Sequence, residues 1–114
     1  MKIEKCTNIS KQPVEHEGAK DVAIKWLICE QDGAKNFAMR MFELQPGGFT
    51  PLHRHKHEHE VFVVEGRGVF VHEGKQHPFA AEYVIFVPGG REHQFKNTGD
   101  SVLRMLCVIP AGAA

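Results

Sequence analysis

The close spacing of turn signals limits this chain's fold more than any other feature. Turns rich in glycine and proline recur at 31–33, 46–48, 66–68, 73–75, 88–90 and 97–100. Runs of β-branched and aromatic residues lie between them, at 22–29, 37–44, 61–64, 69–72, 83–87, 93–96 and 102–109. Eleven glycines and six prolines would interrupt any long helix. The pattern predicts an all-β sandwich or barrel.

A chain of 114 residues has the usual length of a single domain. We therefore expect one domain over 1–114, with its core at about 22–109. The polar residues 1–20 are expected to form an edge strand or an arm that crosses to a second subunit. The small residues 110–114 are expected to form a flexible tail.

Charge and composition exclude several partners. Fourteen basic residues balance fourteen acidic ones, and no basic cluster with interleaved aromatics occurs, so we expect no nucleic-acid partner. No apolar run reaches membrane-spanning length and no leader pattern is present, so we expect a cytoplasmic protein without a membrane partner. The three cysteines (Cys6, Cys29 and Cys107) are far apart, as is typical of free thiols.

The chain has eight histidines, five of them between His53 and His72. In a strand, His53 and His55 would share a face at roughly 7 Å, and imidazoles so placed can converge on one transition-metal ion. A straight strand would carry a fourth alternating position roughly 20 Å away, so the chain must bend or bulge after His55. Alternation alone does not choose among His57, His59 and Glu60 as a further ligand.

Two motifs resemble those of the cupin family. In the first, Gly47 is followed after five residues by His53-Arg54-His55, and Gly66 closes the motif. In the second, the conserved positions of the family correspond to Pro88, Gly90, His93 and Asn97. The resemblance implies a cupin-type jelly roll, or double-stranded β-helix barrel, with a metal inside it.

The chain departs from the family pattern at two positions. The glutamate of the first motif is replaced by His59, and the glycine that opens the second motif is replaced by Glu82. By resemblance the metal ligands are His53, His55, His59 and His93, with Glu60 as the alternative fourth ligand. The bound group is expected to be one divalent transition metal, with Mn or Fe favoured over Ni, Cu or Zn.

Strand alternation also predicts a substrate pocket. Met105, Cys107 and Ile109 would face inward from the last strand, and Phe95 would share the face of His93. Arg40 interrupts an apolar strand and could bind an anionic substrate group or face solvent. His57 is expected beside the site or exposed, and His16, His72 and His77 on the surface.

The sequence contains no nucleophile elbow, phosphate-binding glycine loop or dinucleotide fingerprint, so any chemistry must come from the metal. The resemblance favours a dioxygenase-like oxidoreductase that acts on a small organic substrate. The alternatives are a cupin isomerase or lyase that uses the metal as a Lewis acid, and a non-catalytic metal-dependent sensor of a small ligand. A homodimer is expected, since small cupins often pair.

Overall fold

The computed structural model describes residues 1–113, which form nine strands and two three-residue 3-10 turns, Cys6–Asn8 and Glu30–Asp32. The strands are β1 Gln12–Pro13, β2 Lys20–Ile28, β3 Phe37–Phe49, β4 His59–Glu65, β5 Arg67–His72, β6 Lys75–Ala80, β7 Val84–Val87, β8 His93–Asn97 and β9 Leu103–Pro110. The all-β prediction is confirmed. No helix within 1–113 is long and apolar enough to cross a membrane.

The strands form one curled sheet of the jelly-roll type. One part has the order β1-β2-β3-β9-β4-β7, and the other has the order β6-β5-β8. The two parts meet where Phe49 at the end of β3 pairs with Lys96 of β8. All strand pairs are antiparallel. Strand β3 therefore belongs to both parts and connects them.

Strand β3 is longer than predicted, because the expected turn at 46–48 is a bulge within it. Leu44 pairs with Val22 and Phe49 pairs with Lys20, so β3 has extra residues between the two pairs. Gly47 adopts a φ of 80°, and a side chain on Gly48 would meet the Lys20 carbonyl oxygen. The two glycines let β3 bend from one part of the sheet to the other.

Strand β6 was not predicted, because its sequence Lys-Gln-His-Pro-Phe-Ala is polar and contains Pro78. It forms the edge of its sheet and pairs only with β5, so a proline is tolerated there. Its first four residues, His77 among them, are exposed. A solvent-exposed edge strand lacks the run of apolar residues from which inner strands are predicted.

The two ends of the chain are held against the barrel. Strand β1 is the edge strand beside β2, and Lys2 Nζ donates to the Leu27 carbonyl at 2.8 Å. The Ala111 N–H donates to the Asn36 carbonyl at 3.1 Å, and Ala113 packs on the core. Residues 110–113 thus contact the rest of the chain, the flexibility expected of the tail stays a prediction, and Ala114 lies outside the described residues.

The core lies between the two parts of the sheet. Strand β9 alternates as predicted: Leu103, Met105, Cys107 and Ile109 are all buried. They pack with Val61 and Val63 of β4 and with aromatic rings from the other part of the sheet, namely Phe70, Phe79 and Phe95. The core thus surrounds the inward face of β4, which begins with His59.

The turn before β7 keeps its geometry without the family's glycine. Glu82 takes a φ of 73°, a left-handed conformation that costs an L residue about 1 kcal/mol. Its N–H donates to the Val63 carbonyl at 2.8 Å, and this bond ties the turn to β4.

We predict that Glu82→Gly raises the free energy of unfolding by up to about 1 kcal/mol, because glycine adopts this φ without strain. Denaturant unfolding of the two proteins measures the difference. The control Glu82→Ala also lacks the carboxylate but retains the strain, so it should give no comparable gain. Equal stabilisation by both variants would contradict the explanation.

Candidate metal centre

Residues 50–55 run antiparallel to residues 90–95, and hydrogen bonds join the two segments. His53 and His93 exchange both backbone bonds, His53 N–H to His93 O at 3.1 Å and the reverse at 2.9 Å. The Thr50 N–H donates to the Phe95 carbonyl at 2.9 Å, and the Phe95 N–H donates to Thr50 Oγ1 at 2.8 Å. Histidines forty residues apart in sequence are thereby placed side by side.

A close backbone contact bends the chain after His55. The Gly90 N–H donates to the His55 carbonyl at 2.6 Å. A Cβ on Gly89 would collide with the carbonyl oxygen of Lys56. The 88–90 turn therefore packs directly on the backbone of the histidine segment, and only glycine allows this approach. The bend that the sequence required between His55 and β4 occurs at this contact.

The four histidines expected as ligands are brought together. Ring centroids lie 4.8 Å apart for His55 and His93, 5.1 Å for His53 and His93, 4.4 Å for His55 and His59, and 5.4 Å for His59 and His93. Nitrogens of His53, His55 and His93 lie within 4.8 Å of one another, as do those of His55, His57 and His59.

Of the two other candidate ligands, His57 lies in the cluster and Glu60 lies outside it. The His57 ring stacks on His55 with centroids 3.9 Å apart, so it belongs to the cluster. His59 is buried, whereas Glu60 is exposed because consecutive residues of β4 point to opposite faces. The structure therefore brings His59 to the cluster and directs the alternative ligand, Glu60, away from it.

Three of the rings are held at Nδ1. His93 Nδ1 lies 2.9 Å from the Arg91 carbonyl oxygen, and His55 Nδ1 lies 3.0 Å from the His57 carbonyl oxygen. A carbonyl only accepts, so both nitrogens carry the proton. His59 Nδ1 lies 3.3 Å from Cys107 Sγ. The lone pairs of His55 and His93 are then on Nε2, as in metal-bound histidines.

Two features of the Nε2 atoms fit a metal ion. His93 Nε2 is buried without a hydrogen-bond partner among residues 1–113, although an acceptor in that position needs one. The Nε2 atoms of His55 and His59 are 2.9 Å apart. Two nitrogens each about 2.1 Å from one ion and at right angles to each other would have about that separation. The donor set suits Mn, Fe, Co, Ni, Cu or Zn.

The surroundings keep the imidazoles neutral. Burial, reinforced by the neighbouring rings, lowers the pKa of His53 from its usual 6.5 to about 4. Burial, reinforced by the Arg40 cation, lowers the pKa of His59 to about 2. Burial also lowers the pKa of His93. Only the neutral ring binds a metal, so near pH 7 His53, His59 and His93 are in the binding form.

The histidines line a cavity of about 410 Å³ whose other walls are mainly apolar. Phe95, Met105 and Cys107 line it, in accord with their expected place in the pocket. Ile109 is buried but lines a second cavity of about 440 Å³. Two residues along β9 advance it by about 7 Å, which carries it past the first cavity.

Arg40 faces inward rather than towards solvent, and its role in binding an anionic group stays a prediction. It is 8% exposed and lines the cavity, and its Nη2 donates to Cys107 Sγ at 3.0 Å.

The β2 wall of the cavity, formed by Val22, Ile24 and Trp26, was not predicted. The apolar run in β2 indicated a strand but gave no sign of which face the cavity would use. Exposed His16 lies at the rim, and His72 is half-buried against Phe70.

We predict that His59→Ala lowers the affinity for Mn²⁺ or Zn²⁺ by at least about 100-fold, because outer partners of such ligands already contribute roughly 10- to 100-fold. Glu60→Ala is the matched control, since its side chain points outward from the adjacent position, and it should bind as tightly as the parent. Calorimetric titration measures both. Loss of affinity in Glu60→Ala alone would contradict the assignment.

We predict that the metal-free protein loses stability as the pH falls from about 6.5 towards 4. In that range the unfolded chain protonates its histidines while folded His53 and His59, with pKa values of about 4 and 2, remain neutral. The unfolded state then binds more protons, so acidification favours it. Thermal unfolding in chelator measures this. His53→Gln should weaken the dependence and exposed His77→Gln should not, while a flat profile for the parent would refute the explanation.

Sequence comparison identifies relatives of this chain among known proteins. The chain is 40% identical to the oxalate-binding protein of Thermotoga maritima over 96 residues, 81% of this chain and 78% of that one. It is 38% identical to 1-methylthio-D-xylulose 5-phosphate methylsulfurylase of Rhodospirillum rubrum over 74 residues, 64% of this chain. The chain spans about half of that relative, 47% of its length.

The fold is also that of solved structures. The polyketide cyclase RemF from Streptomyces resistomycificus superimposes with a TM-score of 0.91 at 35% identity, over 96% of this chain and 79% of that one. The sequence profile of the Cupin domain family matches residues 40–109, which include His53, His55, His59 and His93. This chain is a member of the cupin family.

Proposed function

We propose that the chain is a metal-dependent enzyme that activates a carbonyl or enol group of a small organic substrate. The observation that carries the proposal is His93 Nε2, which is buried without a hydrogen-bond partner among residues 1–113, in a histidine cluster that lines a mainly apolar cavity. When bound, a divalent transition metal would supply Lewis-acid polarisation of a substrate oxygen or, for Mn or Fe, a redox partner for O₂.

The residues around the centre have separate roles in this proposal. His53, His55, His59 and His93 hold the metal, and the Arg91 and His57 carbonyls fix two of the rings. Phe95 and Met105 exclude water and contact the apolar body of the substrate. Glu58 and Glu60, which flank His59, are exposed. His57, whose ring stacks on His55, is therefore assigned as the proton acceptor in this proposal.

Among the candidate reactions, we favour Lewis-acid activation of a carbonyl or enol group because of the names of two relatives. RemF, which superimposes with a TM-score of 0.91, is named as a polyketide cyclase. A protein 33% identical over 65% of this chain is the polyketide synthase CurC of Streptomyces cyaneus. Cyclisation of a polyketide requires activated carbonyl and enol groups. These names support a metal-assisted cyclase, isomerase or lyase.

The dioxygenase-like oxidoreductase favoured by the sequence becomes the second candidate. The all-imidazole donor set supports it, since imidazole ligands suit Fe, a redox-active ion. The non-catalytic alternative draws on the relative named as an oxalate-binding protein. The three candidates share the metal and the cavity but differ in what happens to the bound molecule.

Pentane-2,4-dione distinguishes them, because it is a neutral molecule with both a carbonyl and an enol group. We expect the protein loaded with Mn²⁺ or Zn²⁺ to accelerate hydrogen–deuterium exchange at the central carbon without O₂, as followed by NMR. Uptake of O₂ with cleavage of the probe would favour the oxidoreductase. Metal binding without exchange or cleavage, across a series of β-dicarbonyl probes, would contradict an enzymatic role.

The matched pair His59→Ala and Glu60→Ala serves as the control. The first variant should lose the exchange together with the metal, and the second should retain both. Elemental analysis of each sample, purified without added metal or chelator, separates a lost ion from a lost reaction. Exchange that persists in His59→Ala would place the activity outside the proposed centre.

The expected homodimer stays a prediction. The outer face of β4 and β7 exposes apolar side chains that such pairing would cover, among them Phe62, Val84 and Phe86. Phe62 and Val84 are opposite one another in the β4–β7 pair, so their side chains form one continuous apolar strip. Light scattering gives the mass in solution.

A further inference from the structure

Arg40 is a buried cation that no carboxylate of residues 1–113 neutralises. The ion pairs of the described residues involve Lys2, Lys11 and Arg104, and none reaches Arg40. Its Nε has no hydrogen-bond partner there, although the atom is inaccessible to solvent. Buried charges are normally paired, so this arginine lacks a counter-ion.

Two aromatic rings and one thiol hold the guanidinium in place. Its carbon lies 4.9 Å from the centroid of the Phe42 ring and 5.7 Å from that of Trp26. These rings stabilise the cation through their faces. Hydrogen bonding uses the edge of the group instead, where Nη2 donates to Cys107 Sγ at 3.0 Å. A thiol sulfur is a weak acceptor, so most of the hydrogen-bonding capacity of Arg40 is unused.

Arg40 and the histidines face the same cavity. Two hydrogen bonds connect them, since Cys107 Sγ also lies 3.3 Å from His59 Nδ1. A molecule in this cavity can therefore contact the guanidinium and the metal centre together. The volume of the cavity, about 410 Å³, accommodates a small organic molecule.

We propose that Arg40 binds the carboxylate of a small organic acid and so determines the substrate class of this site. The proposal rests on the proposed function for its second contact, the one between substrate and metal. A carboxylate matches the planar edge of an arginine and supplies the missing counter-ion. Phosphate, with its larger charge, is less suited to a single arginine between two aromatic rings.

The test uses benzoate as the probe and benzamide as a neutral molecule of the same shape. Trp26 is the only tryptophan and lies beside Arg40, so its fluorescence reports binding. We expect metal-free protein to bind benzoate at least about tenfold more tightly than benzamide, because only benzoate brings a charge to the arginine. Equal affinities would overturn the proposal.

Variants of Arg40 provide the second measurement. Arg40→Gln should lose the preference for benzoate, and Arg40→Lys should retain part of it. Arg104→Gln is the matched control, because Arg104 is on β9 but is paired with Glu43 and Glu65 outside the cavity. Thermal unfolding establishes that each variant is folded. Undiminished preference in folded Arg40→Gln would refute the role of Arg40.

Two further arms separate the possible failures. Inorganic phosphate should not displace benzoate at equal concentration, and full displacement would overturn the choice of a carboxylate. The titrations use protein without metal, so they succeed or fail independently of the proposed function. If the protein prefers benzoate but shows no metal-dependent exchange of pentane-2,4-dione, the result would support the anion site at Arg40 and contradict the proposed enzymatic function.

Discussion

The site depends on the backbone pairing between residues 50–55 and 90–95. The two backbone hydrogen bonds between His53 and His93 align the two segments that carry the ligands. A further bond, from the Gly90 N–H to the His55 carbonyl, holds the backbone at His55. Neither segment belongs to a long strand at this point. Their positions follow from the strands that adjoin them: β3 ends at Phe49, just before the first segment, and β8 begins at His93, within the second. The bend of β3 thus determines where the histidines meet.

Burial of this cluster has an energetic cost that a cation would offset. Imidazole nitrogens removed from water lose hydrogen bonds, and His93 Nε2 has no replacement among the described residues. Burial also lowers the pKa of His53 and His59, so protonation of these rings does not compensate for the lost hydrogen bonds. A metal ion satisfies several lone pairs at once. The fold therefore maintains an arrangement that is poorly satisfied alone and well satisfied around a cation.

The sequence predicted the inner strands from local patterns, whereas the histidine set came from the resemblance to the cupin motifs and stays a prediction as a metal site. Alternation in β9 and the spacing of the two motifs required no knowledge of distant contacts. The failures were at positions where tertiary structure determines the outcome. Strand β6 is stabilised by its pairing with β5 despite Pro78, and the turn at Gly47 became a bulge because β3 had to reach β8. Alternation could not choose between His59 and Glu60, because the close contact of Gly89 with Lys56 sets the phase of β4.

Arg40 and the metal centre share one electrostatic environment. The arginine helps to lower the pKa of His59, so the same cation that lacks a counter-ion also favours the neutral, metal-binding form of a ligand. A metal ion would then be a second positive charge facing the same apolar cavity, where neither charge is well screened. Two such charges repel each other unless an anion lies between them. An anionic substrate therefore stabilises both the arginine and the metal, and a neutral molecule of equal size stabilises neither to the same degree.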